Sequence, residues 1–157
     1  MKSLILFCGL LFISVISIAQ EEQAQAATGA EVKFIITAYD LQTEELIKGS
    51  TMLIYKDGEL VVTSVSEGKK NKVEMRGTSK YIGVVQIPGY HDFYFGLDVS
   101  KSNDEGKHTL DMPVKMLALN ANVEEPTEAD IFAYDPDELT EPVMPVPVSE
   151  LKKQIKK

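Results

Sequence analysis

Tryptophan is absent from this 157-residue chain, histidine occurs twice, and the single cysteine is Cys8. Arginine is as scarce, with Arg76 alone. Each shortage removes a class of chemistry. Cys8 lies inside an N-terminal apolar run, so a processed chain has no cysteine; disulfides, thiolate metal sites, redox motifs and cysteine nucleophiles are then excluded together. A fold without disulfides depends on a packed core. Without Trp, the commonest stacking residue for sugars is missing. His91 and His108 form no recognisable nucleophile–base arrangement, because such a pair needs spatial proximity that spacing alone does not supply. His91-Asp92 beside a turn reads as a solvated turn pair. The net charge of −8 repels phosphate backbones, so nucleic acid is not an expected partner.

The first segment present is an export signal. Lys2 gives a positive start, Leu4 to Ile18 is mostly apolar, and Ser17-Ile18-Ala19 places small residues at both positions read by a signal peptidase. A membrane-spanning helix needs about 20 apolar residues, and this run is shorter. A lipid-bearing cysteine would follow the apolar core behind a small residue, whereas Cys8 sits near its start behind Phe7. Residues 1–19 are therefore expected to be a cleaved signal peptide, with the mature chain in the periplasm or at the cell surface. Cleavage leaves 138 residues and takes the net charge to −9. Residues 20–30 are polar and simple, and read as a flexible leader.

From Glu31 the pattern becomes period two. Val32, Phe34, Ile36 and Ala38 share one face, and Met52 with Ile54 continue it. Lys56-Asp57-Gly58-Glu59 is a hairpin signal, with Leu60–Ser66 as the returning strand. Val73 and Met75 mark a short strand. Tyr81, Gly83, Val85 and Ile87 form the next inward row, then Phe93, Phe95 and Leu97, then Leu110, Met112, Val114 and Met116. Pro113 cannot donate to a ladder, which places the last strand at a sheet edge. About seven short strands with turns every 8–12 residues predict a single antiparallel, Ig-like β-sandwich over residues 31–117.

The series Asp40, Thr43, Leu46, Gly49-Ser50, Met52, Ile54, Thr63, Gly68, Tyr81 and Pro88-Gly89-Tyr90 resembles the carboxypeptidase regulatory-like domain, a transthyretin-like (prealbumin-like) sandwich of bacterial envelope proteins. The likeness covers residues 31–117 and departs from the family pattern at Glu45 and Ser64. It implies a non-enzymatic accessory role, with Tyr81 and Tyr90 capping the core and their hydroxyls in water. Related hydroxyisourate hydrolases carry histidines, an arginine and a Tyr-Arg-Gly-Ser end. This sequence shows Lys152-Lys153-Gln154-Ile155-Lys156-Lys157 and Arg76 alone, so catalysis of that kind is not expected.

No metal or cofactor is expected. Asp98, Ser100, Ser102 and Asp104 have the spacing that opens a calcium loop, but Asn103 and Thr109 stand where Gly and Glu are required. Asp135, Asp137 and Glu138 read as solvated charges. Lys69, Lys70, Lys72, Arg76 and Lys80 read as a solvated strand pair; a sharper alternative is that they receive the acidic tail.

That tail is a distinct object. Residues 121–147 hold eight acids, no base and five prolines, so 118–147 is expected to be an irregular extended segment. Its apolar islands, Ile131, Phe132 and Tyr134, then Val143, Met144 and Val146, are candidates for partner binding. Residues 148–157 predict a short basic amphipathic helix whose Leu151 and Ile155 join those candidates, with an anionic membrane surface as another possible contact. The expected function is a non-enzymatic accessory of a larger envelope protein or complex, docked through the tail. The alternative is a small-ligand or carbohydrate-binding module using Tyr39, Tyr55 and Tyr94.

Overall fold

A computed structural model describes residues 31–100, 106–133 and 142–156; for residues 133 and 142–144 it describes the backbone alone. The expected signal peptide and leader, together with Ser102, Asp104 and Tyr134, lie outside the described residues.

The alternation of Glu31–Asp40 makes β1, with Val32, Phe34, Ile36 and Ala38 buried and their neighbours half-buried. The following strands are β2 (Ser50–Lys56), β3 (Glu59–Ser66), β4 (Lys70–Arg76), β5 (Lys80–Gln86), β6 (Phe93–Asp98) and β7 (Lys107–Met116). Asp57 and Gly58 join β2 to β3 with φ of 52° and 89°. Positive φ at both central residues is the tight-hairpin geometry that Asp-Gly favours.

These strands form two sheets. A three-stranded sheet has the order β4-β1-β7, and a six-stranded sheet begins β3-β2-β5-β6. Their inner faces share one core in which Phe34, Phe95, Met52 and Ile54 are almost wholly excluded from water. Packing there is tight enough to dictate a glycine. A Cβ on Gly83 would overlap the Phe95 ring on the neighbouring strand.

Two polar clamps hold the sheets in register. Buried Asn71 accepts a hydrogen bond from Ser64 Oγ at 2.6 Å and donates to Ser50 O and Ser64 O at 3.0 and 3.1 Å, so every polar atom it buries is paired. At the other end, Asp40 Oδ1 accepts from the backbone N–H groups of Gln42 and Thr43, and the Tyr90 hydroxyl donates to Asp40 Oδ2 at 3.1 Å. Tyr90 thus has a protein partner where its hydroxyl was expected in water. Those backbone donors hold Asp40 below its ordinary carboxylate value, while burial and then Asp40 push Tyr90 upward.

Two expectations differ from the structure. The sheets are mixed and not purely antiparallel, because β1 pairs with β7 and β6 with β8 in parallel. Residues 118–147 are also not irregular throughout. Glu128–Ala133 is β8 and Pro142–Pro147 is β9, and they complete the six-stranded sheet as β6-β8-β9. The physical reason is that β6 offers an open edge, which satisfies backbone groups of an extended acidic segment that could not bury enough apolar surface by itself. Val148–Ile155 follows as α1. Among the described residues there are nine strands and one helix, and that helix is too short and polar to cross a membrane.

The four sheet edges are each blunted against further pairing. β4 carries Lys70, Lys72, Glu74 and Arg76, β7 carries Pro113, and β9 carries Pro142, Pro145 and Pro147. On β3 a register shift opposite Ile54 and Tyr55 makes a bulge, and Ser64 and Ser66 hydroxyls bond to Lys72 O and Lys70 O. Charge, proline and bulges are the usual edge protections.

Candidate functional site

The outer face of the six-stranded sheet is the part of this molecule with most apolar chemistry left over after folding. Met52, Ile54, Tyr81, Val85, Phe95 and Leu97 point into the core. Their alternates, Leu53, Tyr55, Ile82, Val84, Tyr94 and Gly96, therefore face outward. Ile82 and Val84 are buried all the same, and Ile82 is covered by Ala129, Val148 and Leu151.

α1 lies on this face. Val148 and Leu151 are buried with Ile82 and Ala129, and Tyr55, Tyr94, Val146 and Ile155 pack around them as a second cluster. The helix is held at its start by Val148 N–H donating to Thr127 O at 2.8 Å. Lys152 Nζ sits 4.9 Å from the centre of the Tyr94 ring and 3.4 Å from Glu125 Oε1. Glu125 also approaches His91 Nδ1 at 3.7 Å. Burial first, and then the carboxylate of Asp92, push the Tyr94 hydroxyl above its ordinary pKa.

Between α1 and the sheet runs a groove of about 690 Å³. Ile82, Gly96 and Ile131 line its floor, Tyr55 and Leu151 its walls, and Asp57, Lys80, Asp98 and Glu150 its rim. Lys80 is spoken for by Asp98 at 2.9 Å. Burial raises the Asp98 pKa, yet bonds from Ser100 and Lys80 outweigh it and hold this carboxyl below its ordinary value. Beyond Tyr55 the face continues bare. Leu60 is 51% exposed, Val61 48% and Val65 72%. They lie on β3 beside Tyr55 and Thr51 of β2.

The candidate binding residues are brought together, but onto their own domain. Ile131 packs over Gly96, whose hypothetical Cβ would come 3.0 Å from its side chain. Phe132 points the other way and meets Phe95 edge-on at 6.3 Å. Val143 pairs through its backbone with Ile131; its side chain and that of Met144 fall outside the described residues. Val146, Leu151 and Ile155 belong to the cluster under α1, so the apolar side of the helix expected to meet a membrane is turned to the sheet. Tyr55 and Tyr94 share this face, whereas Tyr39 lies on β1 in the other sheet.

Of the basic residues, Lys80 lines the groove beside Ile131 and Val146 of the tail and is paired with Asp98, whereas Lys70 and Lys72 lie elsewhere. β8 and β9 lie at the far side of the six-stranded sheet from β3, next to which β4 carries Lys70 and Lys72. No group of three His, Cys, Asp or Glu side chains among the described residues is placed to hold a metal ion. The sequence reading missed Ile82, Val84 and the exposed β3 row. The signals were present in two unbroken runs, Ile82-Gly83-Val84-Val85 and Leu60-Val61-Val62, since apolar residues without alternation mark strands apolar on both faces.

No family model matches the chain, and no curated protein does either. Among solved structures, the Bacillus anthracis TIE protein aligns at 23% identity with a TM-score of 0.43, over 55% of this chain and 16% of that one. A Bacteroides fragilis protein described as membrane-associated and of unknown function aligns at 16% identity and a TM-score of 0.40, over 61% of this chain and 31% of that one. The chain thus spans less than a third of the length of either. Scores of this size describe a partial likeness of backbone and carry nothing about activity or partners.

Proposed function

We propose that this chain is an exported, non-enzymatic interaction module of the cell envelope, built on a carboxypeptidase regulatory-like sandwich. The envelope location rests on the signal-peptide pattern of residues 1–19, and the family on the residues from Asp40 to Tyr90 that resemble it. The single observation that carries the interaction role is the bare row Leu60, Val61 and Val65 on a sheet face whose other half is already covered. Along β3 this exposed apolar row is interrupted only by Thr63, and exposed apolar residues gathered on one face mark a contact site. The tail completes the module, and the remainder of the same face meets the partner.

The test is a photo-crosslinking residue placed at position 65 or at position 35 of the full chain in its native envelope. Position 35 faces outward on the other sheet. An envelope-protein adduct from position 65 and none from position 35 supports the reading. Adducts from both positions, or from neither, overturn it.

A second reading, a small-ligand site, is favoured by the groove beside α1, whose volume lies in the usual range for ligand pockets, about 300–1,000 Å³. A glycan and small-molecule screen read by thermal shift tests it. Stabilisation abolished by Tyr55→Ala would support this reading over the first.

A further inference from the structure

The bare part of the six-stranded face has a width, a chemistry and a charge. Six strands about 4.8 Å apart span roughly 24 Å, and a helix with its side chains is about 10 Å across. α1 runs over β6 and β9, with its apolar side against Ile82 of β5. What remains is β2 and β3, a strip one helix wide.

The strip's surface is Leu53, Leu60, Val61 and Val65 with Thr51 and Thr63 between them, and it runs into the groove through Tyr55. It is thus continuous with the interface that α1 already makes. Its hairpin end and the groove rim carry Asp57, Glu59, Asp98 and Glu150 against Lys56 and Lys80, and Lys80 is paired with Asp98. The balance there is acidic. Strand addition is disfavoured because every edge is protected, which leaves the face.

We infer that the strip seats a second helix, supplied by a partner protein. The fitting helix is amphipathic, with an aliphatic row directed at Leu53, Leu60 and Val65 and lysines or arginines flanking that row toward the acidic rim. α1 demonstrates the mode within the chain: an apolar row of Val148, Leu151 and Ile155 on the sheet, with Lys152 and Lys153 around it. Occupation of the strip seats the second helix over β2 and β3, with Tyr55 between it and α1. This inference rests on the interaction-module reading and names its partner's chemistry.

The experiment titrates isotope-labelled mature chain, residues 20–157, with a side-chain-stapled peptide copying residues 148–156. The staple is needed because so short a helix is marginal alone. Saturable amide shifts are expected on β2 and β3 around Leu53, Leu60 and Val65, with the amides of α1 unmoved. Val65→Lys, at a position too exposed to disturb the fold, is expected to weaken binding by about tenfold or more. A peptide with glutamates replacing its lysines is expected to bind at least about tenfold more weakly.

Absence of saturable shifts overturns the inference, as do shifts on α1, which would mean exchange with the chain's own helix. Equal binding of the acidic peptide overturns it too. So does a dimer of the mature chain, seen by sedimentation without peptide and dissociated by Val65→Lys, which would assign the strip to a second copy. A crosslinked envelope protein at position 65 together with a silent peptide removes the helix and leaves the module. Silence in both removes both.

Discussion

The two sheets of this sandwich turn their inner faces to one core, yet their outer faces differ in kind. The outer face of the three-stranded sheet is ruled in charged rows: Arg76, Glu31 and Lys107 lie abreast, then Glu74, Lys33 and Thr109, then Lys72, Ile35 and Asp111. Lys107 reaches Glu31 at 2.9 Å and Lys33 reaches Glu74 at 3.0 Å. Nothing among the described residues covers it, and its chemistry requires no cover. The outer face of the six-stranded sheet bears Leu53, Ile82, Val84 and Val65; α1 roofs part of it, while β8 and β9 extend the sheet itself. The difference teaches that the acidic tail is a structural part of the module. Strand β5 is apolar on both sides, and Ala129, Val148 and Leu151 keep Ile82 on its outer side dry.

The strongest way to break the comparison is to end the chain at Leu117. That removes Phe132 from the main core and Ala129, Val148 and Leu151 from the second cluster. At about 1.5–3 kcal/mol for each large apolar side chain buried, the loss is on the order of 5 kcal/mol. Chemical denaturation of the truncated chain is expected to show a collapsed or vanished cooperative transition. An unchanged midpoint would mean that the roof contributes nothing.

Point substitutions sharpen the contrast. Ile82→Ala beneath α1 is expected to destabilise by about 2–4 kcal/mol, as for other buried aliphatics. Ile35→Ala on the uncovered face is expected to lose less than about 1 kcal/mol. Equal losses from the two would erase the distinction between the faces. Gly83→Ala probes the inner side of the same strand β5, where the Phe95 ring must move, at about 1–3 kcal/mol.

Acid acts at the seam between the sheets and on the open face, as well as at Asp98 on the groove rim. Asp40 is held below its ordinary value of 3.8 by backbone N–H groups of Thr43 and Gln42 and by Tyr90. Glu31 is held below 4.5 chiefly by its bond from Lys107. Folded values below unfolded ones mean that these groups stabilise the fold above about pH 4 and lose that contribution as pH falls through the folded values. Asp40→Asn is therefore expected to flatten the decline in stability below pH 4, followed by thermal unfolding across pH. The smallest effect is reserved for the exposed Lys33–Glu74 pair. Glu74→Gln is expected to change stability by about 0–1 kcal/mol, and less in high salt.

Much of the sandwich was legible before any coordinates. The inward rows from Val32 to Met116, the Asp57-Gly58 hairpin and Pro113 on an edge strand follow from side-chain period and φ preference alone. The candidate site was only half legible. Ile131, Phe132, Val146, Leu151 and Ile155 were recognisable as too apolar for a spacer, but nothing in their spacing says whether the surface they seek belongs to another protein or to this one.

What the sequence determined by itself is local: which residues alternate and where the backbone must take positive φ. What only the tertiary structure decided is which surfaces meet. Parallel pairing of β1 with β7 and of β6 with β8 joins residues 76 and 35 positions apart at Glu31–Lys107 and Gly96–Ile131. Whether Ile131 lies against Gly96 depends on an edge left open by β6, a property of the assembled sheet that no short stretch of chain contains. Alternation tells a strand that it has two sides, and packing alone tells it what each side will touch.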